Sequence, residues 1–222
     1  DDGTTDTELW RSDGTPAGTV LVKDINPTSS SNPSEFANVN GMLFFSANDG
    51  TNGTELWRSD GTPAGTVLVK DIRAGGGSFP RQLTVVGGVL FFQADDGTNG
   101  TELWRSDGTA DGTVIVKDIA PGDEDSDPRN LTNLGGVLLF EADDGATGSE
   151  LWRSDGTADG TVLVRDLFPG FTNGLRSTPI SAGALVLFRG DDGVRGLEVW
   201  QSDGTTAGTV LVADVLPGPG DS

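Results

Sequence analysis

The sequence predicts an all-β fold, and three observations carry the prediction. First, the phrase Glu-Leu-Trp-x-Ser-Asp-Gly-Thr recurs five times, the last copy in altered form, with tryptophans at Trp10, Trp57, Trp104, Trp152 and Trp200; their spacings are 47, 47, 48 and 48 residues. Second, between the tryptophans lie short runs rich in Val, Leu and Phe, each bounded by Gly or Asp-Gly, the pattern of strands joined by tight turns. Third, no segment carries an apolar stripe at helical spacing long enough to compete. A period in the forties with a Trp-Asp-Gly signature points to a stacked array of β units such as a propeller.

The elements of one unit follow in order. Asn130 to Gly136 leads into the apolar run Val137 to Ala142, and the turn-rich hexamer Asp143 to Gly148 follows. Next come Ser149 to Arg153, the turn Ser154 to Gly160, and Thr161 to Leu167. The unit therefore reads as a four-stranded antiparallel meander, strands A to D. A single meander has two faces to cover and cannot bury them alone, whereas several packed around an axis share one core and protect most edges.

The order of strands resembles the WD-type propeller blade, in which an Asp-Gly turn precedes a strand ending in Trp. More specifically, the chain resembles the bacterial ELWxxDGT repeat family. The motif covers Glu8 to Thr15, Glu55 to Thr62, Glu102 to Thr109, Glu150 to Thr157 and the deviant Glu198 to Thr205. The resemblance implies a secreted or bacterial cell-surface protein without an assigned reaction.

Counting strands gives 18. The chain opens at Asp1-Asp2-Gly3, inside a B–C turn, so the first unit contributes only strands C and D. A single propeller domain over 1–222 is expected: a half-blade at 1–25, blades at about 26–72, 73–119, 120–167 and 168–216, and a tail at 217–222. A closed five-bladed ring needs 20 strands. The chain is thus read as a piece of a longer array, with a ring carrying one thin blade, or two chains completing each other, as the alternatives. The open blade edge invites self-association.

Composition narrows the function. The 222 residues include no Cys and no His, and 34 Asp plus Glu stand against 14 Lys plus Arg, a net charge of -20. So acidic a surface repels nucleic acid and anionic lipid. No run approaches the ~18 apolar residues of a membrane span, so no membrane insertion is expected. Without His or Cys, the common nucleophile–base pairs and thiolate or imidazole metal sites are missing. Paired carboxylates remain, but they recur in every unit, and an acid–base pair belongs to one site. The chain is read as non-catalytic.

Three repeated positions are candidates. Asp13, Asp60, Asp107, Asp155 and Asp203 in the Ser-Asp-Gly-Thr turn are expected to bond nearby backbone amides. The five tryptophans are expected to pack between blades with each indole N–H bonded to a neighbour, and Glu8 and its equivalents to pair with Lys23, Lys70, Lys117 or Arg165 on the adjacent strand D. In the last unit Ala213 takes that basic position. The third candidate is the B–C turn: Asp1-Asp2-Gly3, Asn48-Asp49-Gly50, Asp95-Asp96-Gly97, Asp143-Asp144-Gly145 and Asp191-Asp192-Gly193. In an up-and-down blade these turns share a face with the D–A connections, which differ most among the copies: Asn26 to Glu35, Arg73 to Arg81, Ala120 to Arg129 and Phe168 to Thr178. A variable face beside repeated acidic turns is the pattern of recognition on a constant frame.

The candidate ligand-binding residues are accordingly Asp49, Asp96, Asp144 and Asp192. Asp95, Asp96, Asp143 and Asp144 are candidate ligands for calcium, the cation that oxygen clusters suit, although no Asp-x-Asp-x-Asp-Gly loop is present. The cluster Asp123 to Asp127 occurs once. The expected function is a recognition or adhesion module binding a glycan or protein through the B–C and D–A face; the alternative is a structural spacer with no small-molecule ligand. No cofactor is required on either reading.

Overall fold

A computed structural model describes residues 6–215 and 218. Among them are 18 strands and no helix. β1 (Leu9–Arg11) and β2 (Val20–Lys23) form a two-stranded sheet, the half-blade. Four sheets of four strands follow: β3 (Ser34–Val39), β4 (Met42–Asn48), β5 (Thr54–Ser59) and β6 (Val67–Lys70); then β7 (Arg81–Val86), β8 (Val89–Asp95), β9 (Thr101–Ser106) and β10 (Val114–Lys117); then β11 (Arg129–Leu134), β12 (Val137–Asp143), β13 (Ser149–Ser154) and β14 (Val162–Arg165); and finally β15 (Ile180–Ala182), β16 (Leu185–Asp191), β17 (Leu197–Ser202) and β18 (Val210–Ala213). In each, strands pair in chain order, which makes every sheet a meander; these are called blades 2 to 5.

The chain divides into two compact units. One comprises Asp1–Thr98 with Arg105–Val114, the other Asn99–Trp104 with Ile115–Ser222, so the division runs through blade 3. Within the first unit, Leu9, Val22 and Ile25 of the half-blade pack on Phe45, Ala47 and Trp57 of blade 2. Within the second, Leu139, Leu151, Val164 and Leu167 of blade 4 pack on Val186, Phe188 and Trp200 of blade 5. One rule covers both. Alternate residues point to opposite faces of a strand, so Leu of Glu-Leu-Trp looks outward to the following blade and Trp looks back to the preceding one.

The register explains the fate of the basic residues. Leu9 stands opposite Lys23, Leu56 opposite Lys70 and Leu151 opposite Arg165, and a bulge then brings each Trp opposite a Leu two residues earlier. Residues directly opposite share a face, so the cation follows Leu toward the next blade, away from the glutamate. Lys23 Nζ donates to Thr66 O at 2.7 Å and lies 5.8 Å from the centre of the Trp57 ring. Lys117 repeats this at Thr161 O, 2.9 Å, over Trp152, and Arg165 at Thr209 O, 2.7 Å, over Trp200; Lys70 reaches Thr113 O at 2.8 Å.

Two expectations are corrected here. The glutamates do not pair with strand D cations, because the bulge places those cations on the other face. Nor do the indole N–H groups of Trp57, Trp152 and Trp200 find a hydrogen-bond acceptor; the rings pack between blades as expected, and the polar contact they make is of a cation with the ring face.

Candidate recognition site

The glutamates of the repeat anchor the D–A connections. Glu8, buried, accepts the Ile25 N–H at 2.8 Å, the Ser31 N–H at 3.0 Å and the Ser31 hydroxyl at 2.7 Å. Glu55 accepts from Ile72 N at 3.1 Å, Ser78 N at 2.9 Å and the Ser78 hydroxyl. Glu102 takes Ile119 N, 3.0 Å, Ala120 N, 3.2 Å, and Ser126 Oγ, 2.6 Å; Glu150 takes Leu167 N, 3.2 Å, and Gly174 N, 2.7 Å. Each carboxylate thus clasps a connection at its start and again near its end. Burial raises the carboxyls of Glu102 and Glu150, to about 7 and about 8, against opposing donors, and raises Glu55 in the same sense. The sequence did hold a signal for this role: Ser31, Ser78 and Ser126 recur 23 or 24 residues after their glutamate inside otherwise variable segments.

The connections are also stitched to the blades by backbone. Phe79 N donates to Thr54 O at 3.1 Å and Asp95 N to Ser78 O at 3.0 Å; Leu175 N to Ser149 O, 3.3 Å, and Asp191 N to Gly174 O, 2.9 Å, repeat the pattern. The B–C turn lies against them. Gly53, at φ 77°, leaves only room for a hydrogen, since a Cβ there would stand 2.6 Å from Gly76 O. The B–C and D–A segments therefore lie together, as their place in the meander requires.

Each Asp-Asp-Gly turn is a pair of successive side-chain caps. Asn48, Asp95, Asp143 and Asp191 each accept from the glycine N–H two residues on, at 2.6 to 2.8 Å. The second residue caps the next amides: Asp49 accepts from Thr51 N and Asn52 N, Asp96 from Thr98 N, Asp144 from Ala146 N and Thr147 N, and Asp192 from Val194 N and Arg195 N. Partial burial alone would raise Asp49, Asp144 and Asp192; the N–H donors outweigh it and hold them below the usual carboxylate value. Among the described residues, no three acidic side chains converge as a metal site would need. Asp95 also pairs with the Arg73 guanidinium, and in the Asp123 to Asp127 segment Asp125 caps Thr101 N at 2.6 Å. Asp1-Asp2-Gly3 lies outside the described residues.

The Ser-Asp-Gly-Thr hairpins are closed networks. Asp107 Oδ1 accepts the Thr109 N–H at 2.8 Å and its hydroxyl at 2.7 Å; Gly112 N donates to Thr109 Oγ1, and Thr113 Oγ1 to Thr109 O. Since Thr113 spends its proton on a carbonyl, Ser106 Oγ is the donor in their 2.7 Å contact. Asp13, Asp60, Asp155 and Asp203 sit in the same arrangement, and the threonine hydroxyl holds each of the five below its ordinary value.

A recess on the B–C and D–A face of the first unit is large enough for a ligand. A cleft of about 750 Å3 in the first unit is lined by Ile72 to Gly77 and Phe79 of the D–A connection and by Asp96, Gly97 and Thr98 of the following B–C turn. It combines a half-exposed aromatic ring, Phe79 at 51% exposure, a guanidinium at Arg73, a carboxylate at Asp96 and the bare backbone of Gly75, Gly76 and Gly77. Of the four candidate ligand-binding aspartates, Asp96 lines this cleft.

No family model matches the chain, and no curated protein does. Solved structures do match in fold. A puromycin hydrolase is 16% identical, with TM-score 0.56, over 89% of this chain and 30% of its own. A puromycin-hydrolyzing peptidase of Mycobacterium tuberculosis is 13% identical, TM-score 0.53, over 92% and 32%, and a prolyl endopeptidase 14%, TM-score 0.54, over 94% and 30%. The chain spans about a third of the length of these structures. At such identities the likeness is of fold alone, and it makes this an all-β chain of propeller-like blades.

Proposed function

We propose that the chain is a non-catalytic recognition module of an exported or surface bacterial protein, and that it binds a glycan through the B–C and D–A face, centred on the Phe79–Asp96 cleft. On this reading its sheets are blades of a propeller. The observation that carries it is the cleft itself, where the most variable segment of the repeat and a turn whose Asp-Gly recurs in every copy meet around one ring, one guanidinium and one carboxylate. An aromatic face with convergent polar groups is the chemistry that holds a sugar ring. A glycan array run with calcium and with chelator tests it, followed by Phe79→Ala and Asp96→Asn. Binding that falls at least tenfold in Phe79→Ala is the expected result. Binding to glycans unaffected by both variants would reject this cleft, and dependence on calcium would bring Asp95, Asp96, Asp143 and Asp144 back as ligands.

A second reading has its own support. The repeated aspartates are occupied as turn caps and the tryptophans as blade packing, which is what a structural spacer requires. Silence of the array in both conditions would favour it.

A further inference from the structure

The residue after each clasped serine is bent into the left-handed region: Asn32 at φ 48°, Phe79 at 50° and Asp127 at 46°. A proline comes next in all three copies, Pro33, Pro80 and Pro128, and proline disposes the residue before it to extended backbone. Asn and Asp are the side chains that accept a positive φ most readily, whereas a bulky one there is an outlier. One copy thus holds a phenylalanine where two others hold residues suited to the bend. Burial does not offset the strain, since the Phe79 ring is half-exposed and lines the cleft. Strain that packing leaves unexplained points to a residue placed for what it binds.

The surroundings of the ring are shaped to the same end. A Cβ at Gly77 would stand 3.2 Å from Phe79 Cζ and 2.8 Å from Thr54 N, so this glycine lets the connection lie close to β5 with the ring beside it. The Arg73 side chain runs along two further glycines of the cleft: a Cβ would come within 3.3 Å of its Nε at Gly76 and within 3.1 Å at Gly97. Its guanidinium is paired with Asp95, which offsets its charge. Arg73 and Asp96 are the charged residues of the lining. Asp96 therefore sets the sign of the cleft, beside an aromatic face that is itself negative and in a chain of net charge -20.

These charges discriminate among sugars. A uronate or sulfated sugar would meet repulsion, and a neutral one would gain from the ring alone. A protonated amine gains from both, through the ring face and through an ion pair with the carboxylate. We infer that the cleft takes an amino sugar whose amine is unacetylated and protonated, with the sugar ring against Phe79 and the ammonium toward Asp96. The inference rests on the glycan reading of this cleft and narrows it to one chemical class.

The test is titration calorimetry of the whole chain at mildly acidic pH and about 0.15 M salt, which screens attraction to the net charge. The probes are a glucosamine trimer, its N-acetylated counterpart, cellotriose and a galacturonate trimer. The glucosamine trimer is expected to bind about tenfold more tightly than either neutral trimer, and the galacturonate trimer not at all. Asp96→Asn keeps an acceptor for the Thr98 N–H and removes the charge, so it is expected to erase the preference for the amine. Phe79→Asn installs the residue that Asn32 supplies in its own copy. It is expected to abolish binding while the melting temperature holds or rises, because the strain is relieved. Silence of all four trimers removes the glycan reading and this inference together. Binding that depends on Phe79 but is led by a neutral or acidic trimer keeps the glycan reading and overturns the amine. Amine binding indifferent to both variants shows attraction to the net charge alone, and a Phe79→Asn chain that melts earlier shows a ring placed for packing; either overturns the inference.

Discussion

The buried glutamates make stability depend on pH from the alkaline side. Glu102 and Glu150 titrate at about 7 and about 8 in the folded chain, above the ordinary 4.5 that the unfolded chain would show. Between those values the folded state holds protons that the unfolded state has released, so stability is fully present below the lower value and falls as pH rises through the higher. The capping aspartates act oppositely: Asp144 and Asp192 are held below 3.8, and their contribution is lost as pH falls through their folded values. The melting temperature is therefore expected to be highest in the mildly acidic range and to drop by several degrees toward pH 9. Glu150→Gln should flatten the alkaline limb of that profile; an unchanged limb would show that Glu150 is ionised throughout. The aspartates were legible in the sequence, because Asp before Gly in a turn has one dominant use. The glutamates were not, because a single bulged residue on strand D moves Lys23 and its equivalents to the opposite face, and no alternation of residue types marks it.

At the scale of the element, the C–D hairpin owes its shape to two residues five apart. A Cβ at Gly112 would stand 2.1 Å from Asp107 Oδ1, and the same holds at Gly65 against Asp60 and at Gly160 against Asp155. The glycine is there to leave space for the capping carboxylate. Gly112→Ala should cost about 1–3 kcal/mol through overpacking, while Asp107→Ala/Gly112→Ala should be far less destabilised than the sum of its parts, which a double-mutant cycle by urea unfolding measures. Strand number, order and the meander were all readable from Gly-bounded apolar runs. The kinked entry of strand A was not: Glu35, Gln82 and Asn130 take φ of 56°, 59° and 59° at register shifts in β3, β7 and β11, and only Asn is a common choice for that conformation.

Within the two units, blade-to-blade cohesion combines a Leu-against-Trp core with a strand D cation that reaches the next blade. Lys117→Met keeps the aliphatic stem and removes the charge, leaving Thr161 O without that donor; the expected loss is about 1–3 kcal/mol. Because the packing described within each unit joins successive blades, the loss should be seen as early unfolding of one part of the chain rather than a uniform shift. Hydrogen exchange would locate it at β10 and at the Thr161 hairpin of blade 4, which Lys117 joins; uniform acceleration would contradict that nearest-neighbour picture.

The glutamate clasp also explains where the repeat changes length. In all the blades, the carboxylate meets the first amide of the D–A connection 17 residues on, but the second contact falls 23 residues on at Glu8 and Glu55 and 24 at Glu102 and Glu150. The step from a 47- to a 48-residue period therefore lies inside the clasp. A change of loop length is absorbed between two fixed points and never reaches the strands. The chain can thus exchange one connection for another without re-specifying the blade, and the same property makes it a ready frame for grafting foreign loops, provided that each insert ends in a free amide for the waiting carboxylate.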